Sequence, residues 1–141
     1  MISIVPYRAT HLLDLRIQKG QAYSTQAITP DYACRLEGEF AFTAFYHGKI
    51  LAVGGVVELW ADRGLAWMMI DIDAGAHFVA LHRAVKRMLD IVPYRRIEAD
   101  TPCEFEPGHR WLKMLGFTLE AECMKAHRID GGDSALYARV R

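Results

Sequence analysis

Residue 75 divides this chain by hydrophobic period. Before it, Phe40 to Tyr46, Ile50 to Trp60 and Leu65 to Ile72 are runs rich in aromatic, aliphatic and β-branched residues. After it, Phe78, Leu81, Val85, Met88, Leu89 and Val92 recur at three- and four-residue spacing. Runs of the first kind read as strands, and the second is one face of a helix, with His82, Arg83, Lys86, Arg87 and Asp90 on the other. His47-Gly48-Lys49 and Ala61-Asp62-Arg63-Gly64 supply the turns between the strands, so the three form an antiparallel meander. The third run is nearly all apolar, which predicts a central strand buried on both faces. A helix from Gly75 to Ile91 then packs its stripe on the sheet, with Phe78 as part of the core.

The flanking segments complete an α/β order. Ile2 to Val5 reads as a strand closed by Pro6, and Thr10 is placed to cap a helix from His11 to about Lys19. Gln21 to Ile28 is polar enough to be a loop, and Thr29-Pro30-Asp31 opens a second short helix running to about Glu37. Pro93 stops the long helix, Arg95 to Asp100 is a strand, and Pro107 starts a helix with Trp111, Leu112 and Leu115 on its apolar side. Gly116 ends that helix. Phe117 to His127 and Ala135 to Val140 flank the turn-forming cluster Ile129-Asp130-Gly131-Gly132-Asp133. The order is β-α-α-β-β-β-α-β-α-β-β, a mixed α/β sheet in a single domain spanning residues 1–141.

Composition narrows the function classes. Seventeen basic and seventeen acidic residues cancel, without the basic excess that binds phosphate backbones, so nucleic acid is not an expected partner. The most apolar stretch, Ile50 to Trp60, is too short to cross a bilayer, and no leader-like segment opens the chain; the expectation is a soluble, untargeted protein. Cys34, Cys103 and Cys123 are odd in number and widely spaced, which argues against a disulfide framework or a zinc site and fits a reducing compartment. His77 and His82, five apart, do not share a helix face, so no metal is expected. Cys103 and His109 lack a third group to orient the imidazole as a base.

Trp111-Leu112-Lys113-Met114-Leu115-Gly116-Phe117, with the order of elements, resembles the GNAT N-acetyltransferase fold over nearly the whole chain. Within that fold, Leu51-Ala52-Val53-Gly54-Gly55, Arg110-Trp111-Leu112-Lys113 and Arg128-Ile129-Asp130-Gly131 look most similar to GNAT-like internal virion proteins of short-tailed bacteriophages. The resemblance implies a host-cytoplasmic, virion-associated protein whose partners are other phage proteins or further copies of itself.

The same resemblance implies where acetyl-CoA would sit. In the family, the strand before the long helix parts from its neighbour, and a Q/R-x-x-G-x-G/A turn offers backbone N–H groups to the pyrophosphate, as any helix start does for an anion. Aligned on Leu81, the corresponding segment is Ile72, Asp73, Gly75, Ala76, His77 and Phe78, with Ala74 between. Asp73 stands where the family has a cation or Gln; an unpaired carboxylate about 5 Å from a phosphate costs about 3 kcal/mol. As a structural residue, Asp73 would instead cap the helix. Phe78 replaces a small residue, and Leu112 replaces the Tyr that protonates the departing thiolate. Tyr94, Cys103 and Tyr137 are the remaining candidate acids, each read first as structural, and Glu58 is the candidate general base. These departures lead to the expectation of a degenerate acetyl-CoA site in an assembly protein, with an active acetyl-CoA-dependent N-acyltransferase as the alternative.

Overall fold

The computed structural model describes all 141 residues. The elements are β1 (Ser3–Pro6), α1 (Ala9–Asp14), α2 (Pro30–Arg35), β2 (Ala41–Tyr46), β3 (Lys49–Trp60), β4 (Arg63–Ile70), α3 (Phe78–Ile91), β5 (Arg96–Pro102), α4 (Glu106–Met114), β6 (Thr118–Met124) and β7 (Ser134–Val140). This is the order read from the sequence, with 3₁₀ segments Lys19–Ala27 and Ala74–His77 added. The seven strands lie in the order β1-β2-β3-β4-β5-β7-β6, and β4–β5 is the one parallel pairing.

Local chemistry accounts for the joints. His47 and Gly48 both have positive φ, 46° and 76°, the geometry of a tight hairpin turn between β2 and β3. Gly55 is held against β2: a Cβ there would lie 2.2 Å from the Phe40 carbonyl oxygen, which accepts from the Val56 N–H. At the end of α4, Gly116 takes φ 93°, its N–H donating to Lys113 O and that of Phe117 to Leu112 O. These bonds satisfy the last helical carbonyls, and the buried Phe117 returns to the core beside Leu112.

The helices cover the sheet from two sides. α3 and α4 bury Leu89, Leu115 and Phe117 with Val56, Ile97, Ala99 and Tyr137 of the strands. On the other face, Tyr7, Ala9, Leu12 and Ala33 pack with Ala41 and Val53, Trp67 and Met69 lying against them. Leu81 is buried and Val85 half-buried against the sheet, as the stripe requires. Thr29 caps α2 as expected, its hydroxyl accepting from the Tyr32 N–H at 3.1 Å.

Five expectations need correction. Thr10 lies inside α1; the helix start is capped by His11 Nδ1, which accepts from the Arg8 N–H, and by Glu37 Oε2, which accepts from the Ala9 N–H. α1 stops at Asp14 because Arg16 to Gln18 pairs like a strand with the end of β4, Ile72 N–H donating to Arg16 O and Gln18 N–H to Ile70 O. Residues expected as a loop from Gln21 form part of the 3₁₀ segment. β4 is central, but Leu65 to Ile70 are half-buried, because one of its edges borders a cavity. Finally, Phe78 is 36% exposed: it is the first residue of α3, where the apolar stripe runs past the sheet, and its ring instead meets Trp111 of α4 at 5.3 Å.

Glu98, buried in β5, accepts two hydrogen bonds from Arg63 of β4, at 2.6 and 3.0 Å, and one from Arg96 at 2.6 Å. The Arg63 guanidinium, helped by Arg96, holds its carboxyl down to about 2, against the burial that would raise it. A carboxyl depressed on folding stabilises fully above its ordinary value of 4.5, and the contribution is lost as pH falls from there toward 2. Denaturant titrations across that window are expected to show stability falling by about 2–3 kcal/mol from this group. Glu98→Gln should be destabilised by a similar amount at neutral pH, with a flatter acid limb.

Candidate functional site

Parallel pairing of β4 with β5 lasts for three residue pairs: Arg63 with Arg96, Gly64 with Ile97 and Leu65 with Glu98. Beyond them the strands part. A cavity of about 400 Å³ fills the gap, walled by Ala66 to Ile70 on one side and Ala99 to Pro102 on the other, with Val85 of α3 and Leu112 of α4 against it. Strands that part leave backbone groups without ladder partners, and these must be satisfied in another way. On the open edge of β4, the side-chain amide of Gln21 does so: its Nε2 donates to Met68 O and its Oε1 accepts from the Ile70 N–H at 3.0 Å.

One end of the cavity meets the turn between β4 and α3, since Ile70 and Leu81 both line it. The turn is built on Asp71, whose carboxylate is 3% exposed and accepts from the Asp73 N–H at 2.9 Å. Ala74 N–H donates to Asp71 O, whereas the N–H groups of Gly75 and Ala76 have no partner within the protein. Asp73 makes no capping bond; its carboxylate lies 3.0 Å from Arg16 Nη2 and 3.6 Å from Lys49 Nζ. Both cations also approach Asp71, at 3.2 and 3.9 Å. Two carboxylates and two cations thus cancel at the turn, and the repulsion expected from an unpaired Asp73 is largely offset. Nothing lies within 4 Å of a Cβ built on Gly75, so that backbone is open to approach.

The other residues singled out from the sequence are dispersed. Glu58 is exposed at the far end of β3, opposite Gly64 in the register and outside the cavity wall; its charge acts on the Tyr94 phenol, which burial raises first. Tyr94 packs edge-on to Phe40, also away from the cavity. Ile72 is exposed, and His77 lies against Tyr46 with ring centroids 4.2 Å apart. His82 accepts from Trp111 Nε1 at 3.0 Å, so the two histidines serve separate contacts. Leu112 is part of the cavity wall.

Tyr137 and His109 form a structural pair. His109 Nε2 lies 2.9 Å from the Cys103 carbonyl oxygen, an acceptor, so this nitrogen carries the proton and Nδ1 accepts from the Tyr137 hydroxyl at 2.7 Å. The Cys103 thiol points elsewhere, donating to Glu122 O at 3.3 Å, so no thiol–imidazole pair exists.

Asp100 was missed in the sequence reading. It lines the cavity on the α1–α2 side and is the single Asp, Glu, Lys, Arg or His in its wall. No side chain hydrogen-bonds or pairs with its carboxylate. Asp100 is exposed to the open cavity, yet the surrounding walls push its carboxyl up from the usual aspartate range, with His127 acting in the opposite sense; burial first, and the Asp100 charge after it, raises the phenols of Tyr23 and Tyr32, which line the same cavity. The available signal was alternation: Ile97 and Ala99 point to the core, placing Glu98 and Asp100 on the opposite face of an interior strand, where a carboxylate needs a reason.

No protein-family model and no curated protein sequence matches the chain. Solved structures do. Ribosomal-protein-S18-alanine N-acetyltransferase from Escherichia coli superposes with a TM-score of 0.71 at 17% identity, covering 99% of this chain and 94% of that one. Ard1 from Thermoplasma volcanium gives 0.76 at 14% identity, with 99% and 97% covered. A GNAT-family acetyltransferase from Bacillus anthracis gives 0.67 at 13% identity, with 99% and 94% covered. At these identities the likeness concerns architecture alone: the chain has the GNAT acetyltransferase fold.

Proposed function

We propose that the protein is an acetyl-CoA-dependent N-acyltransferase. The observation that carries this reading is the cavity between the parted strands, ending at a turn whose Gly75 and Ala76 N–H groups are unbonded. A helix start with free donors suits an anion. Those two N–H groups, with Arg16 and Lys49 free to turn from Asp73 toward a phosphate, would hold the pyrophosphate. The bound cofactor supplies an acyl group activated as a thioester. The apolar wall of Leu112, Val85 and Met88 suits a ligand arm and keeps water from it. Gln21, bonded to the open edge of β4 through an amide, marks where an amide-bearing arm finds both a donor and an acceptor by taking its place.

The rival is a phage assembly protein that keeps the fold and has lost the donor site, working in the virion through protein contacts. Leu112 in place of a proton donor favours it. The Asp73 charge favours it less than sequence implied, being paired. The solved structures named above are acetyltransferases and lend no support to a virion role.

Calorimetric titration with acetyl-CoA distinguishes the two. The enzyme reading expects saturable binding and a dose-dependent rise in thermal midpoint, because a ligand of the native state stabilises it. Absence of both at millimolar acetyl-CoA would return the reading to the assembly protein.

Exchanging Asp73 for Arg adds attraction at the same turn. Since the side chain is 61% exposed and solvent screens it, we expect Asp73→Arg to tighten acetyl-CoA by about tenfold, less in high salt. An unchanged dissociation constant in low salt would mean that phosphate does not sit at this turn.

A further inference from the structure

The strand order brings two cysteines to one end of the sheet. β7 lies between β5 and β6, and its Ser134 pairs with Pro102 on one side and with Met124 on the other. Cys103 follows Pro102 and Cys123 precedes Met124, so the two flank the start of β7. Both touch Asp133: the Cys103 N–H donates to its carbonyl oxygen at 3.1 Å, and the Cys123 thiol donates to its Oδ2 at 3.4 Å. The Cys103 thiol reaches past β7 and donates to Glu122 O at 3.3 Å. That oxygen belongs to the planar peptide unit joining Glu122 to Cys123 and lies about 3 Å from the Cys123 Cα, which puts the Cys103 sulfur within about 6 Å of that atom.

Both thiols are free, Cys123 exposed and Cys103 half-buried. Desolvation, and after it the neighbouring Cys123 thiol, raises the Cys103 thiol from its usual range, so Cys123 is the one that meets a reagent first. We propose that Cys103 and Cys123 form a reversible disulfide by exchange with a small-molecule disulfide. The Cys123 thiolate attacks one sulfur of the reagent, making a mixed disulfide on Cys123 and releasing one small thiol. The Cys103 thiolate then attacks the Cys123 sulfur, expels the second small thiol and leaves the Cys103 to Cys123 bond. The two cysteine protons end on the two departing thiolates, the cysteine sulfurs are oxidised, and the reagent is reduced by two electrons. Each sulfur turns on χ1, and that rotation carries the pair from contact to bonding distance.

The bond ties β5 to β6 across the first residue of β7. It also restrains the corner that opens α4, where the Phe105 N–H donates to Pro102 O and His109 Nε2 holds the Cys103 carbonyl. No ligand of the cavity enters the exchange, so this modification site stands apart from the acyltransferase reading.

The test treats the whole protein with glutathione disulfide, alkylates the remaining thiols with iodoacetamide, and maps the peptides by mass without reduction. Two of the three free thiols should be lost together, with the Cys103 and Cys123 peptides joined and lighter by two hydrogens, and dithiothreitol should restore both. Cys34, exposed on α2, is the internal comparison and should not enter the cross-link. Cys103→Ser should trap glutathione on Cys123, and Cys123→Ser should leave Cys103 open to alkylation under conditions that consume it in wild type. A serine hydroxyl can donate to the same oxygens, so neither change should disturb the fold.

Glutathione retained on Cys123 of the wild-type protein while Cys103 is still alkylated would overturn the proposal. So would a link through Cys34, or one formed between two chains instead of within one; none of these outcomes relies on a variant. Equal loss of the Cys103 thiol in Cys123→Ser would show that it reacts alone, and the pairing would fall.

Discussion

The rest of the structure depends on where β4 stops pairing with β5. Parallel pairing is evenly bonded and has no intrinsic reason to end after Leu65 and Glu98. The ion cluster concentrates attraction at the closed end: Arg63 from β4 and Arg96 from β5 both donate to Glu98, and Arg96 reaches on to Glu120 of β6. Arg63 also lies over the Trp60 ring at 4.2 Å, which fixes the hairpin leading into β4. At the other end β4 is drawn toward the Arg16–Gln21 segment, which bonds Met68, Ile70 and Ile72 on the edge that would otherwise face β5. Pinned at one end and engaged elsewhere at the other, the two strands diverge, and side chains of α3 and α4 close over the gap instead of filling it.

Charge at the β4–α3 turn follows the same economy of placement. Asp71 is nearly inaccessible, and a buried carboxylate is tolerated only when bonded, here by the Asp73 N–H and Arg16. The turn that results aims Gly75 and Ala76 N–H groups outward and brings Arg16 and Lys49 alongside. Asp73, alarming in the sequence as an isolated negative charge, is one member of a neutral group of four. Reading its charge without its partners overstated the repulsion, because Arg16 and Lys49 come from segments 57 and 24 residues away along the chain and no local pattern links them.

Legibility followed interaction range. The order of elements could be read because strand runs, the stripe of α3 and the Gly116-Phe117 corner are local, each set by residues within a few positions. Thr29 and Gly116 acted as their local chemistry required. Thr10 did not, because Glu37, reaching across from beyond α2, and His11 compete for the same N-terminal donors. Gln21 to Ile28 looked like a loop since its bonds to β4 are made by a side chain rather than by a hydrophobic pattern. Glu58 was chosen for being at a strand end, yet only the point of divergence between β4 and β5, a property of the sheet, determines which strand residues face a cavity.

Glu98 and Asp100 show how little separates a paired acid from an unpaired one. They are two residues apart on β5 and project from the same face, so period and residue type treat them alike. Glu98 lies where β4 and β5 still pair, and Arg63 and Arg96 meet it within 2.6 Å. Asp100 lies one pleat further, where β4 has moved away and no arginine follows. Its partner must come from outside the protein or remain solvent. The divergence that makes the cavity thereby also makes its one charge available, and the same three-residue pairing accounts for both.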